Sequence, residues 1–153
     1  MGWYFEDFEE GQVFVTPART VTEADVVTFA GLSGDYNPLH TDAEFAARTP
    51  FGTRIAHGLL VLSIVSGLGA RTGLFDETTI ALLGVDWRFL QPVRMADTIR
   101  AEMTVSRKRT TRHPERGILV RGIRVLNQRN EVVQEGTMTL MIRRRPVTAQ
   151  QCV

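Results

Sequence analysis

The chain has 153 residues and a formal net charge of +1, and 23% of its residues are charged. That length suits one domain with one core over residues 1–153, and so even a charge balance makes no case for nucleic acid or a membrane surface as partner. The single cysteine, Cys152, excludes an internal disulfide and has no metal-ligand companion.

The start, "MGWYFEDFEE", is acidic and aromatic. It has no basic-then-apolar signal pattern, and acids such as Asp7 after Met-Gly do not suit myristoylation. The longest uncharged stretch, Ile55 to Ala70, is shorter than the roughly 20 residues that span a bilayer. A cytoplasmic protein is the expectation.

Residues 13 to 21, "VFVTPARTV", predict a short strand that Pro17 makes an edge or an irregularity. Thr22 then caps a helix with Asp25 three residues on. Val26, Phe29, Ala30 and Ser33 share one face of that helix, and Gly34 stops it. "SGDYNPLHTD" follows, and "TDAEFAART" restarts a helix with Thr41 as cap and Glu44 in its first turn. "PFGTRIAHG", 50 to 58, is a loop. Leu59 to Ala70 is apolar nearly all round, which predicts a buried helix. Ser63, Ser66, Gly67 and Ala70 form a small-residue stripe on it, where another backbone or a ligand can come close.

From Thr79 the period becomes alternating. Ile99, Ala101, Met103 and Val105 alternate with polar residues, as in a strand with one buried face. "ILVRGIRV", 118 to 125, changes phase at Gly122, which predicts a bulge there. "NQRN", 127 to 130, is a turn, and Met138, Leu140 and Ile142 alternate again. One long buried helix against an antiparallel sheet is an α+β architecture.

The chemistry concentrates in residues 33–42. Pro38 disfavours the helical region for Asn37, so the chain leaves the first helix here. A turn of fixed shape aims Asp35 and His40 at one point. An Asp accepts a proton and a His accepts or donates one near neutral pH, while Asn37 offers donors and acceptors to hold one of them. The plainer alternative is a turn in which Asp35 caps the loop and His40 packs. His40, Asp42 and His57 could be assembled as metal ligands, but without a recognisable metal spacing, and no metal is expected. "RKRTTR", 107 to 112, is a solvated rim or a phosphate contact. Trp3 and Trp87 belong to the core or an interface.

"FAGLSGDYNPLHTD" followed by "FGTRIAHGLL" resembles the MaoC-like dehydratases, the family of (R)-specific enoyl-CoA hydratases. The resemblance extends through "WRFLQPVRMADTI", 87 to 99, and covers roughly Phe5 to Ile142. It implies a hot-dog fold, a long helix wrapped by an antiparallel sheet, and dimers joined edge to edge with sites near the interface. It also implies that Asp35 and His40 are the catalytic dyad that holds water against a trans-2-enoyl thioester. Gly58 matches the family's oxyanion donor, Ser66 a serine that bonds around the dyad, and His57 shapes the turn before Gly58. The substrate is then a thioester of coenzyme A or of an acyl carrier protein, and no cofactor is expected. The phosphates of coenzyme A suit Arg107, Lys108, Arg109 and Arg112, or Arg143, Arg144 and Arg145, against a solvated rim. Two other classes fit the same fold. A thioesterase would place an acid on the long helix, where Leu59 to Ala70 has none; a non-catalytic thioester-binding protein has no need of an intact Asp35 and His40.

Overall fold

The computed structural model describes residues 1–146; Cys152 lies outside the described residues. Two short strands, β1 (Val13–Val15) and β2 (Arg19–Thr20), come first and are separated around Pro17, which has no N–H for a ladder. Three helices follow: α1 (Glu23–Ser33), α2 (Pro38–Thr41) and α3 (Ala43–Ala47). The long helix α4 (Gly58–Ala70) precedes four long strands: β3 (Thr79–Phe89), β4 (Thr98–Thr110), β5 (Arg116–Leu126) and β6 (Val132–Arg143). The sheet is antiparallel, in the order β1-β4-β5-β6-β3, with β2 also paired to β4.

The caps of α1 are those expected. Thr22 and Asp25 form a reciprocal capping box, and Gly34 ends the helix in the left-handed region at φ 76°. The next start differs. Asp42, not Thr41, caps α3 by accepting from Phe45 N at 2.9 Å, because Thr41 already closes the one-turn helix α2.

One face of α4 meets the sheet. Leu60, Val61, Val65 and Leu68 pack with Ile99, Met103, Val125 and Val133 in the main core. A second core joins Phe5 and Phe8 to Val105, Leu119, Leu140 and Ile142. Trp3 packs on the second and Trp87 on the first, so both serve the core. The opposite face of α4 corrects the expectation of burial all round. Leu59, Ser63, Ser66, Gly67 and Ala70 are exposed, because one sheet can cover only one side of a helix. The edge strand β3 is also open, with Ile80, Leu82, Leu83, Val85 and Phe89 exposed.

The bulge expected at Gly122 lies instead across the ladder. Val105 pairs with Arg121 and Arg107 with Val120, which leaves Ser106 of β4 as the extra residue, its hydroxyl accepting from Gly122 N. Strand β5 keeps its phase: Leu119, Arg121, Ile123 and Val125 are all buried. The apparent change of phase came from assigning Arg121 to solvent.

Gly136 tests the β3–β6 pairing that carries the pocket residues Phe89 and Gln134. A Cβ at this position would lie 2.1 Å from the Asp86 carbonyl oxygen and 2.6 Å from the Trp87 ring. Gly136→Ala should therefore destabilise the protein by about 1–3 kcal/mol through overpacking, read as a lower urea midpoint with an unchanged slope.

Candidate active site

Three segments converge on the site. The first is the turn 34–41. Asp35 N donates to Ser33 Oγ at 3.2 Å, and the Asp35 carboxylate accepts from Asn37 N through Oδ1 at 3.2 Å. Asn37 is extended, at φ −51° and ψ 132°, as Pro38 requires. Its side chain holds neither Asp35 nor His40 directly; its Oδ1 caps α2 by accepting from Leu39 N at 3.0 Å. Its backbone does the holding, with the N–H on Asp35 Oδ1 and the carbonyl accepting from His40 N at 2.9 Å. What read as an open loop around His40 is thus a capped single turn of helix.

The second segment is 50–58. Ala56 N donates to Val93 O at 2.8 Å, Arg54 pairs with Glu23 of α1 at 2.7 Å, and Arg94 Nη2 donates to Phe51 O at 3.3 Å. It delivers Ile55 to the His40 ring, whose Nδ1 lies 2.7 Å from the Ile55 carbonyl oxygen. A carbonyl can only accept, so Nδ1 carries the proton and Nε2 is the free nitrogen of the neutral ring. His57 is 2% exposed. Its Nε2 donates to the Asp35 backbone carbonyl at 2.9 Å, and its Nδ1 is buried without a hydrogen-bond partner among the described residues. The His40 and His57 rings stack with centroids 3.8 Å apart, and Phe29 lies 5.0 Å from His57.

The third segment is the start of α4. His57 is its N-cap residue but makes no side-chain cap, so nothing from its own side chain occupies the first-turn N–H groups. Gly58 lines a pocket of ≈ 650 Å³ together with His40, Ile55, Leu59, Phe89 and Gln134. A Cβ on Gly58 would come within 2.8 Å of the Phe89 ring. Gln134 fixes this corner: Trp87 Nε1 donates to its Oε1 at 2.9 Å, and its Nε2 donates to Gly58 O at 3.2 Å. Gln134 escaped the sequence reading, although a signal existed. It lies on the same alternating face as Met138, Leu140 and Ile142, a polar residue pointing inward.

One carboxylate oxygen of Asp35 and one nitrogen each of His40 and His57 lie within 4.8 Å of one another. Among the described residues this is the grouping that could approach a cation; Asp42, included in the sequence reading, is spent on the cap of α3. Asp35 is exposed and does not itself line the pocket, whereas His40 does.

The remaining candidates lie elsewhere in the chain. Ser66 is two turns along α4, exposed, and lines a second cavity rather than the dyad. Both basic clusters lie at the far end of the sheet. Arg143 is nine residues beyond Gln134 along β6, about 30 Å at roughly 3.3 Å per residue. Three of these seven side chains are engaged by the acidic N-terminal segment. Arg144 pairs with Glu6 at 2.8 Å, Arg145 pairs with Asp7 at 2.5 Å, and Lys108 contacts the Phe8 carbonyl and lies over the Phe5 ring.

The two imidazoles should therefore be opposite tautomers when neutral. Nitrogen-15 spectra of the neutral rings should show His40 protonated at Nδ1 and His57 at Nε2; the same tautomer for both would contradict this hydrogen bonding.

Residues 7–123 match the MaoC-like domain. Over 104 residues the chain is 41% identical to the (R)-specific enoyl-CoA hydratase of Rhodospirillum rubrum, covering 67% of this chain and 69% of that protein. It is 42% identical over 111 residues to protein MaoC of Klebsiella aerogenes, covering 72% of this chain but 32% of that protein, so it spans about a third of that relative. The crystal structure of the MaoC-like dehydratase from Rhodospirillum rubrum matches with a TM-score of 0.84 at 31% identity, over 95% of this chain and 100% of that one. A Mycobacterium tuberculosis protein with a double hot-dog fold matches with a TM-score of 0.84 at 22% identity, over 99% of this chain and 47% of that one, a likeness of fold alone. The helix packed on an antiparallel sheet is thus a hot-dog fold, and the chain belongs to the MaoC-like dehydratase family.

Proposed function

We propose that the chain is a hydro-lyase that adds water to trans-2-enoyl-CoA to give (R)-3-hydroxyacyl-CoA, or catalyses the reverse dehydration. The observation that carries this reading is the meeting of a carboxylate and an imidazole, within 4.8 Å, beside a pocket walled by the uncapped start of α4. The hydrogen bonds pick out the reacting atoms. His40 Nδ1 is held by Ile55 and Asp35 Oδ1 by Asn37, which leaves His40 Nε2 and Asp35 Oδ2 to face one water molecule.

As water oxygen attacks C3, one of these atoms takes a proton from the water and the other, which enters the step protonated, delivers its proton to C2, so the pair holds one proton before and after. The two groups work as a coupled pair. Electrons of the double bond move onto the thioester oxygen, where the Gly58 N–H and the positive end of α4 stabilise the developing charge. Delivery of oxygen and hydrogen from the same side gives syn addition. Gln134 Nε2 donates to the Gly58 carbonyl at 3.2 Å and so fixes the first turn of α4 beside the pocket.

Crotonyl-CoA tests the reaction. A hydratase removes the conjugated double bond without releasing thiol, a thioesterase releases thiol, and a binding protein does neither. Asp35→Asn and His40→Ala should each lower turnover by a factor of at least about 100; near-normal turnover in either folded variant would remove the dyad assignment.

The family resemblance and the apolar, strand-rich second half imply a homodimer or a multiple of it on this reading. An open, apolar β3 edge beside the exposed stripe of α4 is a surface that pairs readily with a second copy. Antiparallel pairing of β3 with itself about a two-fold axis would bring the Thr79 end of one chain beside the Phe89 end of the other. The basic clusters and Ser66 would then approach the partner's pocket rather than their own. Light scattering at assay concentration should give twice the chain mass or a multiple of it, and a monomer alone would contradict this assembly. Neutralising each basic cluster in turn should show one whose loss raises KM for a coenzyme A thioester more than for a pantetheine thioester.

A further inference from the structure

Arg121 occupies the middle of β5 on the face that packs under α4, and it is 7% exposed. Its Nη1 and Nη2 reach only thioether sulfurs, Met103 Sδ at 3.5 Å and Met138 Sδ at 3.7 Å. Among the described residues its Nε has no hydrogen-bond partner, and the side chain is absent from every ion pair. The guanidinium lies 4.4 Å from the Phe75 ring centroid. Burial pulls its pKa down to about 10, so it remains charged at neutral pH. A guanidinium is a fork of five N–H donors, and thioethers are weak acceptors. A buried charge in such surroundings is costly unless an anion completes it.

The surroundings leave room for that anion. Arg121 lines a cavity of ≈ 300 Å³ with Ser66, Gly69, Thr79, Leu82 and Met138. A Cβ on Gly69 would stand 3.8 Å from Arg121 Nη1, so the glycine keeps the approach to the guanidinium open. Ser66 and Thr79 supply hydroxyls, and Val65, Leu82, Ile123 and Leu140 supply an apolar wall. Asp76 also lines the cavity but is exposed and makes no ion pair with Arg121.

We propose that this cavity binds a carboxylate carried on an apolar stem, with the carboxylate on the Arg121 fork and the stem against the aliphatic wall. The carboxylate has two sources. One is a free aliphatic acid. The other is the far end of a carboxyl-tipped acyl thioester reaching in from the pocket of a second copy. That second source rests on the hydratase reading and on β3 self-pairing, which would set this cavity, lined by Thr79 and Leu82, beside the partner's pocket.

The test titrates the full chain with pentanoate and, separately, with pentanamide, and follows Tm. Pentanoate should raise Tm saturably by mass action, and the uncharged amide should not. Arg121→Met, which extends the methionine lining already present, should abolish the pentanoate effect; Arg121→Lys keeps the charge and should retain a weaker one. A second readout compares kcat/KM for enoyl-CoA thioesters of equal length ending in carboxylate or methyl. At least a tenfold preference for the carboxylate, lost in Arg121→Met, identifies the thioester as the source. Pentanoate binding without that preference identifies a free acid. Equal effects of pentanoate and pentanamide, no effect of either, or undiminished pentanoate binding by Arg121→Met would overturn the proposal. So would an Arg121→Met variant that falls from dimer to monomer while pentanoate leaves the wild type unmoved, because the guanidinium would then be matched by a second copy. The Tm readout needs no turnover, so an inactive enzyme would count against the hydratase reading and leave this test intact.

Discussion

The burial of one face of α4 against strands β4 to β6 is the contact on which the rest of the architecture depends. Leu60, Val61, Ile64, Val65 and Leu68 are all at most 8% exposed, and each contributes about 1.5–3 kcal/mol of gross burial free energy. That packing fixes where the helix begins, and with it the Gly58 peptide. It also decides which stripe of the helix faces away from its own sheet. Both cavities follow from the same placement: one opens at the start of α4, and the other lies under its second half.

The site is a junction between segments distant in sequence, held mostly by backbone groups. His57 donates to the Asp35 carbonyl, the Ile55 carbonyl accepts from His40, and the Asn37 peptide ties Asp35 to His40. Each ring therefore has a fixed tautomer when neutral. His57 couples the two halves most directly, since it ends the 50–58 segment, starts α4 and stacks on His40.

The two polar intrusions into the core behave differently. Gln134 is satisfied on both sides, by Trp87 and Gly58, and serves as a spacer of set length between sheet and helix. Arg121 is left with sulfurs, an aromatic face and an adjacent cavity. A satisfied buried polar group specifies geometry, whereas an unsatisfied one calls for a partner.

Local chemistry was legible in the sequence. Thr22 and Asp25 wrote the capping box, Gly34 the stop, Pro38 the extended Asn37, and the alternation from Thr79 the strands, because each depends on residues within one or two turns of chain. The resemblance carried by residues 29–58 brought with it the hot-dog fold and the pairing of Asp35 with His40. The tertiary structure alone decided the rest. Which side of α4 is covered depends on strands β4 to β6, the first of which starts 28 positions after Ala70. Asn37 acts through its backbone because its side chain is needed by α2. The basic clusters lie far from the pocket because β6 runs away from Gln134. The irregularity at Ser106 and the inward Arg121 could not be read from "ILVRGIRV", since alternation assigns a charge to solvent. Only the packed helix and sheet reveal that this charge is buried and what it faces.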